Sequence, residues 1–221
     1  RYIAATRQWS KQARRWKRYR QLSICGGSDM QLLSARQAWH DAFFLPWSQS
    51  MELIDLGCRV QKTQYDKSTG IAMHQALAGM IQRAIGTLPV ALREFGHHLY
   101  SPLAGHEQRE SAEESVYLLA RAKSARMTAA KSEKARYVAC AVLYRYRVKN
   151  QGGQGEGLDV LTTPADLREW LDARYGVRLS SEQWAREWEP FIALCTEICD
   201  TLDRVALSPV AGVLEVMKDA A

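Results

Sequence analysis

The adjacent pair His97-His98, with His106 nearby and carboxylates at Glu94 and Glu107, is where metal or acid–base chemistry is first conceivable in this chain. The spacing argues against a metal. Neighbours on a helix point about 100° apart, so adjacent histidines rarely share an ion, and no HExxH or similar spacing occurs. These histidines are expected on the surface or partly packed. Glu113 and Glu114 also face different ways, which suits helix-end electrostatics rather than a carboxylate pair. Cys195 and Cys199 lie four apart on one helix face and would make half a zinc site. Zinc takes four ligands and no second Cys or His pair completes the set, so both are expected in the core, as small buried hydrophobes. The stretch 150–157 (NQGGQGEG) invites a phosphate-cradle reading. No GK[ST] follows it and no strand precedes it, so it reads as a flexible linker. No Gly-x-Ser-x-Gly elbow, Walker motif or Cys/His nucleophile context is present. The expectation is a non-enzyme with no catalytic residue, no metal and no cofactor.

Charge is the stronger pointer. Residues 1–28 hold Arg1, Arg7, Lys11, Arg14, Arg15, Lys17, Arg18 and Arg20 and no acid, a block of +8. Residues 121–149 hold nine cations against Glu133 alone, again +8. With +6 on the whole chain, the remainder carries −10. Two basic elements on an acidic body suit phosphate neutralisation, because each Lys or Arg displaces condensed counterions. Trp9, Trp16 and Tyr19 interleave the first block, as in single-strand and RNA binders. The candidate phosphate contacts are therefore Arg14, Arg15, Lys17, Arg18 and Arg20 in the first block, and Lys131, Lys134, Arg136, Arg145 and Arg147 in the second. A membrane surface is the lesser rival for a basic amphipathic helix.

Composition bounds the class. Hydrophobic residues make up 47 % of the 221 and charged residues 24 %, an ordinary globular balance. No run of eighteen apolar residues occurs, so no bilayer span and no membrane partner are expected. The five cysteines are odd in number and widely spaced, which suits a reducing cytoplasm rather than a disulfide framework. No apolar core follows the N-terminal basic residues, so no signal peptide is read there. Arg1 is not a natural start, and residues are expected to precede it.

These residues must be positioned by helices. The periodicity divides the chain into a basic N-terminal helix in 1–28, a helical extension 29–86, a central helical region 87–150, a Gly-rich linker 151–161 and a C-terminal region 162–221. Within them, Pro46 kinks or splits a helix over 34–60, and Gly86 closes one over 71–85. Thr87 offers an N-cap before Pro89, and Ser111 caps a helix whose first turn carries Glu113 and Glu114. A further helix covers 132–148. The fold class is all-α.

The C-terminal region has the sharpest local pattern. Thr163-Pro164 opens a helix that Gly176 ends, and Ser180 with Gln183 fits a capping box for a second helix interrupted only by Pro190. Helix, short Gly-containing turn, helix outlines a helix-turn-helix, in which the second helix begins with base-reading side chains. Arg178, Ser181, Gln183 and Arg186 are chemically suited to contact DNA. Glu182, Glu187 and Glu189 would oppose phosphates in the same turns.

The run from Leu179 to Phe191, with Trp184, Arg186 and Pro190 at matching spacing, resembles the C-terminal helix of the lambda-type phage late-gene antiterminators, the Q proteins. Lys134-Ala135-Arg136 with the apolar run from Val138 to Tyr146 is similar to that family's central helix. The stretch Phe95 to Tyr100, with the polar loop and 111–122 helix after it, is similar to what precedes it there. The resemblance covers 93–205. It implies a factor that binds DNA near a late promoter, engages bacterial RNA polymerase and its sigma factor, travels beside the nascent RNA and reads through pauses and terminators. It places Ser181, Gln183 and Arg186 on DNA, and the 131–147 cations on phosphates. The chain departs from the family where paired Cys motifs would hold zinc, since only the glycine linker stands there, and residues 1–75 have no counterpart. The alternatives are a helical DNA-packaging adaptor like a small terminase subunit, and a protein-only inhibitor of a host enzyme.

Overall fold

Thr163 shows how directly some of this chain writes its own structure. Its Oγ1 accepts from the Asp166 N–H at 3.2 Å, the Asp166 carboxylate accepts from the Thr163 N–H at 3.2 Å, and Pro164 takes the first helical position, where no N–H is required. At the other end Gly176 adopts φ 68°, a left-handed conformation that glycine enters without a Cβ penalty. In the computed structural model that describes residues 35–44, 68–151, 160–180 and 182–219, this helix is one of eight.

In chain order the described helices are α1 (Ala35–Phe43), α2 (Ser68–Gly86), α3 (Val90–Tyr100), α4 (His106–Lys123), α5 (Ala129–Gln151), α6 (Pro164–Tyr175), α7 (Trp184–Glu187) and α8 (Glu189–Asp219). No strand occurs among the described residues, and the fold is all-α. They belong to a unit that spans 32–221. The expected helix over 3–21 and the Pro46 kink lie outside the described residues, as does most of the glycine linker.

The long α8 is the spine. Phe191, Cys195, Ile198, Cys199, Ala206, Val210 and Leu214 are buried at three- and four-residue spacings, which makes one apolar stripe along its length. α8 packs against α1, α2, α3, α4, α5 and α7. α3 packs closely on α4, α1 lies on α2, and α4 packs on α5. α5 is buried nearly all round from Val138 to Leu143, as expected of a helix with neighbours on several sides. One apolar core joins α1 to α8, so the central and C-terminal segments share an interior. None of the helices, among the described residues, is long and apolar enough to cross a membrane.

Three expected helix starts are placed differently. Thr87 does not cap α3; its hydroxyl turns back to the Ala84 carbonyl at 2.7 Å, and α3 starts at Val90 after Pro89. Ser111 lies inside α4, which begins five residues earlier, where the Gln108 side chain accepts from the Gly105 N–H at 2.9 Å. Ser180 and Gln183 do not form a capping box. Ser180 Oγ accepts from the Glu182 N–H at 3.1 Å, and Gln183 itself precedes α7 with φ 53°. Chain direction changes there, so the expected second helix is divided at Trp188 into the one-turn α7 and the long α8.

Candidate nucleic-acid interface

The C-terminal cations come together with the central block. Thr128 caps α5, its Oγ1 accepting from the Lys131 N–H at 3.3 Å, so Lys131 and Lys134 stand in the first two turns. Lys134 Nζ donates to the Arg178 carbonyl at 3.1 Å, across 44 residues of sequence. Lys131 Nζ lies 5.3 Å from the ring centroid of Trp188, at the α7–α8 junction two residues past Arg186. Arg121 reaches the same turn, its Nε donating to Ser132 Oγ at 3.2 Å. The result is an edge on which Lys134 touches the Arg178 backbone and Lys131 covers Trp188, two residues from exposed Arg186.

Charge at this edge is mixed, with Lys131, Lys134, Arg178 and Arg186 beside exposed Glu133, Glu182, Glu187 and Glu189. α5 has no acid in its first turn, unlike α4, α6 and α8, which carry Glu107, Asp166 and Glu189. The positive end of the α5 macrodipole is thus accompanied by cations instead of being offset by a first-turn carboxylate. Arg178 is 87 % exposed at its side chain and touches Asp172 at 3.3 Å, a contact that salt screens and that contributes little.

The remaining central cations are placed elsewhere. Arg136 is bound to Glu114 of α4 at 2.6 Å and straps two helices at the surface. Arg145 is half-buried. Arg147 is half-buried as well, and desolvation together with the charge of Arg109 pushes its pKa down. Sixteen residues of helix put it about 24 Å along α5 from Lys131. The five central cations therefore do not form one stripe.

Where a single second helix of a helix-turn-helix is expected, the one-turn α7 and the long α8 stand instead. α6 packs on α5, through Leu167 and Leu171 and a set of aromatic rings, and an extended segment then leads to α7. Pro164 and Arg168 of α6 face Gln183, Trp184, Ala185 and Glu189 across an open, shallow groove. Gln183 and Arg186 are exposed, as DNA contacts must be, and so are Glu182, Glu187 and Glu189. Ser181, the N-terminal cations Arg14 to Arg20, and the aromatics Trp9, Trp16 and Tyr19 lie outside the described residues.

Cys195 and Cys199 are in the core with no exposure, and burial pushes both thiols up, Cys195 to about 12. Of the histidines, His97 packs edge-on against Trp39 and Phe43 as a partly packed residue, while His98, expected at or near the surface, is buried in the interior.

One cluster went unforeseen in the sequence. Asp203 of α8, 3 % exposed, accepts from Tyr100 at 2.6 Å, Tyr146 at 3.0 Å and Arg36 at 2.7 Å, and Arg36 also donates to Asn150 at 2.8 Å. Four helices are tied there, with burial and the carboxylate raising both phenols. Three donors from three other helices converge on one buried carboxylate, so the cluster ties the fold together. Comparison with known protein families, with curated proteins and with solved structures gives no match to the chain.

Proposed function

We propose that this chain binds nucleic acid at the edge formed by the first turns of α5 and the α6–α7 connection, and that it acts as a phage transcription antitermination factor. The observation that carries the binding claim is that Lys131 and Lys134, in the first two turns of α5, reach Trp188 and the Arg178 backbone, which brings them beside exposed Arg178 and Arg186. A phosphate chain engages these cations and releases counterions as it does so. Exposed Gln183 and Arg186, at the same edge, supply groups able to reach base edges. Arg136 and Arg147, held by Glu114 and turned inward respectively, serve packing in this reading.

The antitermination role is supported by the likeness of residues 93–205 to the Q proteins, with three stretches in the family's order. Its partners would be promoter-proximal DNA, RNA polymerase with its sigma factor, and the nascent RNA. The test is transcription in vitro from the cognate phage late promoter into a strong terminator, with and without the protein. Readthrough that depends on promoter-proximal DNA, and that is lost in a Lys131→Glu/Lys134→Glu variant, is the expected result. No readthrough with active polymerase and the correct DNA overturns the antitermination role.

A further inference from the structure

Next to the cationic edge, α5 and α6 are joined by a ladder of rings. Tyr137 and Tyr175 have centroids 4.9 Å apart, Tyr175 and Trp170 5.7 Å, and Trp170 and Tyr144 5.2 Å, the last pair nearly parallel at 24°. All four rings are half-buried. Trp39, Trp184 and Trp188 are buried, so Trp170 is the exception among the described tryptophans. A ring needed only for packing would gain by going fully inside, since each aromatic contributes mainly through the area it removes from water.

Arg174 adds a second feature. It is exposed, and its guanidinium lies 5.4 Å from the Trp170 centroid and 5.7 Å from that of Tyr175. A planar cation on an aromatic pair presents to solvent the kind of surface on which a nucleobase stacks. The ladder also begins one helical turn from Lys134, because Lys134 and Tyr137 are three apart on α5 and share a face. A chain of half-buried rings, stacked at Tyr144–Trp170 and edge-on at Trp170–Tyr175, with an arginine over two of them and lysines at one end, has the parts of a single-strand binding surface: aromatic groups for the bases, cations for the backbone.

We infer that Tyr137, Tyr175, Trp170 and Tyr144, with Arg174, form a stacking platform for unpaired nucleobases, so that this edge takes a single strand as well as the duplex its cations hold. This rests on the reading above, that Lys131, Lys134 and Arg178 bind phosphates. A base pair inside a duplex hides both its faces, so duplex DNA engages the lysines and leaves the rings idle. RNA and DNA strands share the stacking chemistry, and the 2′-hydroxyl alone separates them.

The test measures affinity of the full chain for short oligo(U), oligo(dT) and a duplex of equal length. Three proteins are compared: the native chain, Trp170→Leu, and Lys131→Glu/Lys134→Glu. Trp170→Leu is expected to weaken single-strand binding roughly tenfold while duplex binding holds. The lysine variant is expected to weaken both. Preference between oligo(U) and oligo(dT) identifies which strand the site favours. A second measurement needs no variant: oligo(U) carrying 5-iodouracil, irradiated on the native chain, should crosslink to Trp170 or Tyr175. If Trp170→Leu folds and binds single strands unchanged, or the crosslinks map away from the ladder, the platform is wrong and the cationic edge stands. If the native chain binds neither strand nor duplex, both readings fall.

Discussion

Asp203 occupies a position that the apolar stripe of α8 would give to a hydrophobe, four residues after Cys199 and three before Ala206. That register was the one sequence clue to it: a lone carboxylate on an otherwise apolar face. Its partners could not be read the same way, because Tyr146, Tyr100 and Arg36 lie 57, 103 and 167 residues away. Removing the carboxylate takes a partner from two buried hydroxyls, while Arg36 keeps Asn150 and water. Asp203→Ala is therefore expected to cost about 2–3 kcal/mol, read as a lowered urea midpoint; a loss below about 1 kcal/mol would mean that the cluster is not a lock. His98 gives a pH prediction. It is 3 % exposed, and burial, then the charges of Arg147 and Arg109, push its pKa down to about 3 from 6.5. The unfolded chain takes up that proton first as pH falls. Stability is thus complete above about 6.5 and declines through the window from 6.5 toward 3, by up to about 1.4 kcal/mol per pH unit. His98→Gln should flatten that acid limb in urea titrations at several pH values, and an equally steep limb in the variant would contradict it.

Helices were legible where termini are written in local chemistry and less so where tertiary contact sets them. Thr163, Pro164, Asp166 and Gly176 mark α6 correctly at both ends, because cap and stop lie within three residues of the backbone they serve. Ser180 and Gln183 have the same spacing but not the same outcome. Trp184 and Trp188 must both be buried, and the turn that achieves this holds Gln183 at φ 53°. The Lys134–Arg178 meeting was likewise hidden, since nothing local in either segment says that α6 folds back on α5. The approach of α1 to α3 has its own signature, visible only in three dimensions. Gly96 lies flat against the Trp39 indole, and a Cβ there would come within 2.6 Å of Cζ2. Trp39 is fully buried and has nowhere to swing. Gly96→Ala is expected to destabilise by about 1–3 kcal/mol, despite the roughly 1 kcal/mol that alanine gains over glycine within a helix. Thermal unfolding checks this, and a raised Tm would show that the two helices can part at little cost.

Across the molecule, the cations of the second basic block are spread over different tasks among the described residues. The block 121–149 does not act as a unit: Arg136 straps α4, Arg147 turns inward, and Lys131 and Lys134 reach the edge that Arg178 joins. The proposed interface asks phosphate binding of a small number of cations, and a small number can be counted. Each phosphate contact on a duplex adds about 0.9 to the slope of log affinity against log salt. The decisive measurement is that slope for duplex DNA, compared between the native chain and Lys131→Gln/Lys134→Gln. A slope shallower by about 1.8, with weaker binding at low salt, is expected if the edge holds phosphates. An unchanged slope would place the phosphates elsewhere and contradict the proposed interface.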